Sequence, residues 1–201
     1  AFVLEGPKAG GHLGFSLEEL EANQISIHQL LQQTIESVAP FASEAGKQIP
    51  IIVAGGIYTG EDIADILKNK ASGVQMATRF VVTEECDASI EFKMEHIRAK
   101  KEDIIFIKSP VGLPGRAIKN KFLEAVEKGE KTPFKCPYHC IKTCNPKTAP
   151  YCISLALINA QQGNLEHGFA FAGSNAYRSN KIVPVKELMN ELVEGIRKAK
   201  S

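Results

Sequence analysis

Residues 51–62 have the sequence Ile51-Ile52-Val53-Ala54-Gly55-Gly56-Ile57-Tyr58-Thr59-Gly60-Glu61-Asp62. The four apolar residues at its start predict a strand that is buried on both faces. The Gly-Gly pair predicts a turn, and Thr59 followed by acidic residues is typical of a helix start. Apolar residues at 63, 66 and 67 then share one helical face. The stretch is therefore a strand-loop-helix unit and predicts an α/β fold with parallel strands.

Two further apolar runs, Ala1–Leu4 and Gly73–Met76, predict strands of the same kind. The first precedes a helix start with capping-box spacing at Ser16 and a longer helical pattern that we expect Pro40 to interrupt. Repetition of strand, loop and helix implies βαβ units with right-handed crossovers. Because the chain opens inside an apolar run, without a polar lead-in, we expect it to be a piece of a longer chain.

Beyond residue 82 the strand-helix repetition is replaced by mostly helical patterns. We predict helices over 90–101, 117–128, 153–162 and 185–200, an extended run over 104–107 and a loop over 109–115. The chain then divides into an α/β part (1–82), a helical segment (83–135), a cysteine-rich segment (136–152) and C-terminal helices (153–201).

Composition excludes several functional classes. The 201 residues suit one domain or part of one, and 44% hydrophobic with 23% charged residues is ordinary for a soluble protein. A net charge of +1 gives no electrostatic case for binding nucleic acid or a membrane surface. No apolar run approaches the ~18–20 residues that span a bilayer. Without a recognisable leader, we expect a cytoplasmic location.

A glycine-rich stretch, Glu5-Gly6-Pro7-Lys8-Ala9-Gly10-Gly11-His12-Leu13-Gly14, follows the first predicted strand. In parallel α/β folds the carboxyl ends of strands carry the binding sites. Gly10 and Gly11 would let the backbone approach a ligand closely. A histidine with an ordinary pKa of about 6.5 suits proton transfer near neutral pH. His12 is therefore the candidate catalytic residue, and the alternative is a turn whose histidine only caps the backbone.

The loops after the second and third predicted strands indicate an anion site. Gly55 and Gly56 lie between a strand and a capped helix, where backbone amides can face an anion. Residues 75–80, Gln-Met-Ala-Thr-Arg-Phe, follow the next strand in the same way. The last two strands of a (β/α)₈ barrel often share a phosphate site built from such loops. The pair of loops predicts a cofactor that carries a phosphate.

Together the three segments resemble the nitronate monooxygenase family (formerly 2-nitropropane dioxygenases), which also contains enoyl-ACP reductase II. Its strings E-G-x-E-A-G-G-H-x-G, P-V-I-A-A-G-G-I and G-V-Q-M-G-T-R-F are similar to residues 5–14, 50–57 and 73–80, and residues 109–122 and 173–176 are similar to later segments. The resemblance implies an FMN-containing (β/α)₈ TIM barrel. Residues 1–82 would be its C-terminal part, strands 6 to 8, and a mostly helical extension would follow.

The resemblance also implies roles for individual residues. His12 corresponds to the active-site histidine, which handles the α-proton or hydrogen-bonds the nitro group. The implied cofactor-binding residues are Ala9, Gly10, Gly11, Gly55, Gly56, Gln75, Met76, Ala77 and Thr78. Two positions depart from the pattern. Lys8 replaces a usual Glu and is expected at the flavin edge or in solvent. Ala77 replaces a usual Gly, and its amide can still donate if φ stays negative.

Four of the five cysteines lie within 17 residues. They are Cys136, Cys140, Cys144 and Cys152, with His139 among them. If Pro137 opens a helical turn, the first three drift round one helical face, and Cys152 could complete a four-thiolate site. Sulfur ligation of this kind suits Zn²⁺ or an iron–sulfur cluster. The alternative is a set of reduced thiols without a metal.

The leading functional hypothesis is an FMN-dependent monooxygenase that oxidises nitroalkanes or alkyl nitronates with O₂. The alternatives are an NAD(P)H-dependent enoyl-ACP reductase II on the same barrel and a non-catalytic metal-binding or interaction module. The expected partners are a small-molecule substrate and the N-terminal half of the barrel. Three strands would leave two exposed sheet edges, so we also expect association, including homo-oligomers, and poor FMN binding by this piece alone.

Overall fold

The computed structural model describes residues 1–130, 134–136 and 139–200. Its elements, in chain order, are β1 (Phe2–Glu5), β2 (Gly11–His12), α1 (Leu17–Ala22), α2 (Ile27–Glu44), β3 (Ile51–Ala54), α3 (Gly60–Lys68), β4 (Gly73–Gln75), α4 (Thr78–Val81), α5 (Ile90–Arg98), β5 (Ile104–Lys108), β6 (Pro114–Ile118), α6 (Lys121–Glu127), α7 (Ile153–Gln161) and α8 (Val185–Lys200). Single 3₁₀ turns lie at Lys101–Asp103 and Ala176–Arg178.

The three predicted parallel strands form one sheet. Its order is β1-β3-β4, and Val53 of the central strand pairs with Leu4 on one side and Val74 on the other. Val53 is completely buried, and the core on this sheet includes Leu31 of α2 and Ile66 of α3. The α/β unit predicted from the strand-loop-helix pattern is confirmed.

The prediction that all three strands are buried on both faces is wrong for the two edge strands, β1 and β4. In β4, Gly73 and Val74 are half-buried and Gln75 is exposed. Phe2 and Val3 are 50% and 56% exposed. β1 lies at one edge of the sheet and is paired with β3 alone. Side chains of an edge strand have neighbours on one side of the strand, which reduces their burial.

Two helix starts predicted from capping-box spacing are confirmed. The Ser16 side chain accepts the Glu19 N–H at 3.2 Å, and the Glu19 carboxylate accepts the Ser16 N–H at 2.8 Å. The Thr59 hydroxyl and the Asp62 carboxylate form the same pair of bonds at the start of α3. These bonds satisfy amides that have no partner within the helix, and they fix where each helix begins.

The prediction that Pro40 interrupts the second helix is wrong. α2 continues through Pro40 to Glu44. Proline removes one helical hydrogen bond, but Pro40 and Glu36, whose carbonyl loses that bond, are both exposed, so water can replace it. Leu31 and Val38 keep the helix packed on the sheet.

The end of the chain packs against the helix that follows the Gly-Gly loop. Helices α3 and α8 cross with their backbones almost in contact at Gly60 and Gly195. A Cβ atom added to Gly60 would lie 2.2 Å from the Leu192 carbonyl oxygen and 2.6 Å from Gly195 Cα. Leu188 and Leu192 of α8 are buried with Ile63 of α3. Two glycines therefore allow α8 to brace α3.

The prediction of a helical segment over 83–135, with a loop over 109–115 and a helix from 117, is wrong in part. β5 and β6 pair as an antiparallel hairpin, and β6 also pairs with β2. The loop therefore ends at Pro114, and α6 begins only at Lys121. Because β2 is two residues long and lies about 100 residues earlier in the chain, it gives no periodic signal.

Candidate functional site

The carboxyl ends of β1, β3 and β4 open onto one cavity of about 300 Å³. Its lining includes every residue predicted to bind the cofactor, namely Ala9, Gly10, Gly11, Gly55, Gly56, Gln75, Met76, Ala77 and Thr78. It also includes Lys8, which is exposed, and residues 171–175 of the late glycine loop. The three predicted loops therefore converge.

The Gly-Gly pair adopts a backbone conformation that favours glycine. Gly55 has a φ of 94° and Gly56 a φ of 83°. A Cβ atom on Gly55 would lie 2.9 Å from the Ala9 nitrogen, and one on Gly56 would lie 2.7 Å from the Lys8 Cβ. The Asn175 amide donates to the Gly56 carbonyl at 2.7 Å and holds this turn in place. The backbone at the cavity wall is therefore fixed in a conformation that side chains disfavour.

The reason for glycine at position 10 differs from the prediction. A Cβ atom on Gly10 would lie 2.4 Å from the Ala172 carbonyl carbon, so glycine is needed for close approach of the late loop rather than of a ligand. Gly11 has a φ of 83°, and nothing lies within 4 Å of its added Cβ. Gly10 fixes the loop against residues 172–173, and Gly11 turns the chain into β2.

Ala77 has the negative φ that allows its amide to donate to a ligand. Its φ is −127°, and it is the N-cap of α4, so the amides next to it open a helix. The Thr78 hydroxyl accepts the Gly173 N–H at 3.0 Å. The part of the cavity wall that Thr78 forms is thus tied to residues 171–175, the late glycine loop.

His12 lies beside the cavity rather than in its lining. Its Nε2 is 2.7 Å from the Ser109 Oγ, and its ring packs edge-on against Phe171, which does line the cavity. The pairing of β2 with β6 brings His12 close to Ser109, which lies in the turn before β6. Burial lowers the pKa of His12, which favours the neutral imidazole at neutral pH. A neutral, oriented imidazole is able to accept a proton.

Arg116 is a feature of the site that the sequence reasoning missed. Its side chain is buried, its guanidinium donates to the Ala9 carbonyl, and it stacks over the Phe106 ring at 4.7 Å. Burial lowers its pKa to about 10, so it stays charged at neutral pH. Arg116 connects the second sheet to the loop that carries Gly10 and Gly11. The surrounding Pro-Gly-Arg-Ala sequence gave no sign of a buried charge.

A second missed feature is the packing around Tyr58. The guanidinium carbons of Arg79 and Arg178 lie 4.5 and 4.2 Å from the Tyr58 ring centroid. Arg79 also forms a two-point ion pair with Glu191 of α8 at 2.9 Å. The Tyr58 hydroxyl bonds to Ser179 at 3.1 Å. The chain after the Gly-Gly pair is therefore held by cation–π contacts and by α8.

A family model described as nitronate monooxygenase matches residues 1–195. The chain belongs to the nitronate monooxygenase family. The members of this family are TIM-barrel flavin oxidoreductases that use FMN.

Curated relatives match about two thirds of the chain. A probable nitronate monooxygenase from Staphylococcus aureus (strain Newman) is 30% identical over 131 residues, which are 65% of this chain and 34% of that protein. A Mycobacterium tuberculosis protein named (3aS,4S,5R,7aS)-5-hydroxy-7a-methyl-1-oxo-octahydro-1H-indene-4-carboxyl-CoA dehydrogenase is 28% identical over 131 residues, 65% of this chain and 33% of that protein. The chain thus spans about a third of the length of these relatives.

Solved structures match almost the whole chain. FabK from Thermotoga maritima superposes with a TM-score of 0.72 at 25% identity, over 98% of this chain and 54% of that chain. Nitroalkane oxidase from Streptomyces ansochromogenes gives a TM-score of 0.69 at 23% identity, over 98% and 52%, and this likeness concerns the fold alone. No helix in the described part of the chain is both long and apolar enough to cross a membrane.

The cysteine-rich segment differs from its prediction. Cys136, Cys140, Cys144 and Cys152 all line one cavity of about 240 Å³, but residues 139–152 form turns rather than a helix, and His139 has a φ of 46°. The predicted turn at Pro137 lies outside the described residues. Partial burial and the three neighbouring thiols raise the pKa of Cys144. In residues 1–130, 134–136 and 139–200, no three His, Cys, Asp or Glu side chains are arranged to hold a metal ion.

His96 of α5 is fully buried. Its Nδ1 lies 3.1 Å from the Phe92 carbonyl oxygen and its ring contacts the Phe92 ring. Burial lowers its pKa. Although charged residues flank His96 in sequence, its own face of α5 points inward, and neighbours along a helix do not share a face.

Proposed function

We propose that the complete protein containing this chain is an FMN-dependent oxidoreductase that oxidises nitroalkanes or alkyl nitronates with O₂. The observation that supports it is the convergence of three strand ends on one cavity, with glycine backbone at the wall and His12 beside it. In this proposal β1, β3 and β4 are strands 6, 7 and 8 of the barrel. The membership of the chain in the nitronate monooxygenase family agrees with it.

The residues present fit FMN. Gly55 and Gly56, whose conformation excludes side chains from the wall, and Ala77 and Thr78 at the start of α4 would hold the phosphate. The backbone of residues 9–11 and Met76 would line the ring system. When bound, FMN supplies the electron-accepting group of the oxidation and passes electrons to O₂.

The part played by His12 is proton transfer. A neutral nitroalkane must lose the proton on the carbon that bears the nitro group, and an imidazole kept neutral by burial can accept it. Ser109 holds the ring through its bond to Nε2, and Phe171 limits its rotation. Both contacts orient the base before substrate arrives, which lowers the barrier to reaction.

The remainder of the barrel is part of the proposal. Phe2 of β1 and Phe41 of α2 are exposed and line one apolar surface groove, and Val3 of β1 is exposed as well. The solved structures that match the chain are nearly twice as long. We propose that the rest of the barrel covers this surface, and that residues 1–201 alone bind FMN weakly and associate. Gel filtration that shows a stable FMN-loaded monomer of residues 1–201 would contradict this.

The His12→Asn substitution in the complete protein tests the function. Loss of a positioned base slows turnover of a neutral nitroalkane by roughly 10²–10⁴-fold, while turnover of the preformed nitronate, already deprotonated, falls far less. The matched control is His28→Asn, because His28 is exposed and bonds to Asp65 instead. Equal losses on both substrates, with FMN content retained, would remove the base role from His12.

A second candidate is supported by the likeness to FabK, an enoyl-ACP reductase II. In that case the complete protein would use NAD(P)H to reduce the carbon–carbon double bond of an enoyl thioester. Anaerobic mixing with NADH separates the two functions, since rapid bleaching of the flavin followed by enoyl-thioester turnover supports the reductase. A complete protein that carries metal but no flavin would instead support a non-catalytic module.

A further inference from the structure

Lys8 lies at the third position of a tight turn that follows β1. The Ala9 N–H donates to the Gly6 carbonyl at 3.1 Å and closes this turn, and Pro7 occupies its second position. Proline fixes φ at the second position of such turns and makes them rigid. The Lys8 carbonyl also accepts the Ser174 N–H of the late glycine loop at 3.1 Å. The backbone at Lys8 is therefore fixed, and with it the point from which the side chain extends.

The aliphatic stem of Lys8 lies against the Gly55–Gly56 turn. A Cβ atom added to Gly56 would lie 2.7, 3.0 and 3.4 Å from the Cβ, Cδ and Cγ atoms of Lys8. The stem thus occupies the space that a side chain at position 56 would need, and only the Cε atom separates Cδ from the ammonium nitrogen. Lys8 and both glycines line the cavity at the strand ends. The ammonium group is therefore within reach of the turn that is proposed to hold the cofactor phosphate.

Among the described residues that line this cavity, Lys8 is a cation without a carboxylate partner. Arg79, which also lines the cavity, is committed to its two-point ion pair with Glu191 and donates to the Tyr58 carbonyl at 3.2 Å. Lys8 forms no ion pair within the described part of the chain, and Glu5, a carboxylate of the same lining, is not bonded to it. The positive charge of Lys8 can therefore serve a ligand.

A second cavity, of about 270 Å³, shares Lys8 and the Gly55–Gly56 turn with the first and contains two carboxylates. Both carboxylates already have partners, because Asp65 bonds to His28 at 2.6 Å and Asp62 caps the start of α3. In the described structure neither of them pairs with Lys8. The second cavity therefore does not hold the Lys8 side chain away from the first.

We propose that Lys8 is the cation that binds the phosphate of FMN, an inference that rests on the proposed function. The backbone amides of the two loops carry only partial charges, whereas a phosphate monoester carries about −1.5 to −2 at neutral pH. A lysine adds a full positive charge and hydrogen-bond donors, as it does beside other glycine-rich phosphate loops. The family usually has Glu at this position, so the contact would distinguish this chain from relatives that keep the usual residue.

Flavin titration of the flavin-free complete protein tests the role of Lys8. FMN and riboflavin differ only by the phosphate, so the ratio of their dissociation constants measures what the phosphate contributes. We expect Lys8→Gln to weaken FMN binding by roughly 10–100-fold and riboflavin binding by less than about twofold. Lys8→Glu should weaken FMN binding further, and Lys8→Arg should retain most of it. The matched control is Lys47→Gln, since Lys47 is exposed before β3 and outside the cavity lining.

Salt dependence provides a second measurement on the same samples. Added salt screens a charge contact, so the FMN affinity of the unmodified protein should fall as KCl is raised, and it should fall less steeply in Lys8→Gln. Unchanged FMN affinity in Lys8→Gln would overturn the assignment of Lys8 to the phosphate. Equal losses of FMN and riboflavin affinity would overturn it too, because they indicate a packing role. If the unmodified complete protein binds neither flavin, the proposed function itself fails, and this inference fails with it.

Discussion

The Nε2 atom of His12 lies 2.7 Å from the Oγ atom of Ser109, which is 97 residues further along the chain. The β2–β6 pairing makes this bond possible, because Gly11 and His12 lie opposite Arg116 and Gly115, and the turn before β6 carries Ser109. The candidate base is thus held by a segment outside the parallel sheet. The hairpin is part of the site.

The first prediction concerns pH. Burial lowers the pKa of His12, so the neutral form that accepts protons is lost only when the pH falls below the lowered value. We therefore expect kcat/KM for a neutral nitroalkane to be independent of pH just above about 6.5, the ordinary pKa of histidine. It should fall only at a lower pH, where His12 becomes protonated. A limb at higher pH, or a rate that rises as His12 becomes protonated, would contradict the base role.

The second prediction concerns Ser109→Ala. Removing the hydroxyl leaves the Nε2 atom without its partner and frees the ring to reorient, so kcat for a neutral nitroalkane should fall by about tenfold, in line with one hydrogen bond to a reacting group. Ser37→Ala is the control, since Ser37 is exposed on α2 and its hydroxyl donates to the Gln33 carbonyl of the same helix. Unchanged kcat with retained flavin would show that Ser109 does not position His12.

The third prediction concerns the Gly55–Gly56 turn, which is proposed to hold the cofactor phosphate. Gly55→Ala places a side chain at a φ of 94° and 2.9 Å from the Ala9 nitrogen, so we expect a loss of about 1–3 kcal/mol in stability and at least roughly tenfold weaker FMN binding. Gly46→Ala is matched to it: Gly46 has a φ of 62° but nothing lies within 4 Å of its added Cβ. Denaturation and FMN titration separate the two effects, and equal FMN affinity in both variants would exclude the turn from the site.

The fourth prediction concerns the contact between α3 and α8. Gly60→Ala would place its Cβ 2.2 Å from the Leu192 carbonyl oxygen and force the helices apart, at a cost of roughly 1–3 kcal/mol or more in the free energy of unfolding. Gly14→Ala is the control, because nothing lies within 4 Å of a Cβ added there. Urea unfolding of the complete protein measures both, and similar midpoints would contradict the close packing.

The fifth prediction concerns Arg116→Lys. A lysine keeps the charge but loses the planar group that stacks over Phe106 while it donates to the Ala9 carbonyl. We expect a loss of about 1–3 kcal/mol in stability because an ammonium group cannot stack over Phe106 and donate to the buried Ala9 carbonyl in the same geometry. Arg197→Lys on the exposed face of α8 should change little. Thermal unfolding compares the variants, and matching transitions would show that the stack contributes nothing.

The parts of the fold that could be predicted are those encoded locally. The capping box at Thr59 and the apolar run before Gly55 lie within a few residues of each other, and the same interactions hold in the folded state. The convergence of the three predicted loops on one cavity followed because strand ends in a parallel sheet share one edge.

The parts that could not be predicted depend on distant partners. β6 contains proline, glycine and a charged arginine, and its pairing with β2 is set by tertiary contacts. The buried His96 interacts with the backbone of Phe171, a distant partner that no helical period reveals. For the same reason Ser109 and Arg116 acquire their roles only once the chain is folded.

Helix α8 carries a consequence for biosynthesis. Its residues 185–200 are made after the Gly55–Gly56 turn, yet Gly195 and Glu191 contact Gly60 and Arg79 beside that turn. While the chain is still emerging from the ribosome, the turn lacks this support. Under the proposed function, flavin loading is therefore expected to follow synthesis of α8 rather than to accompany translation of β1, β3 and β4.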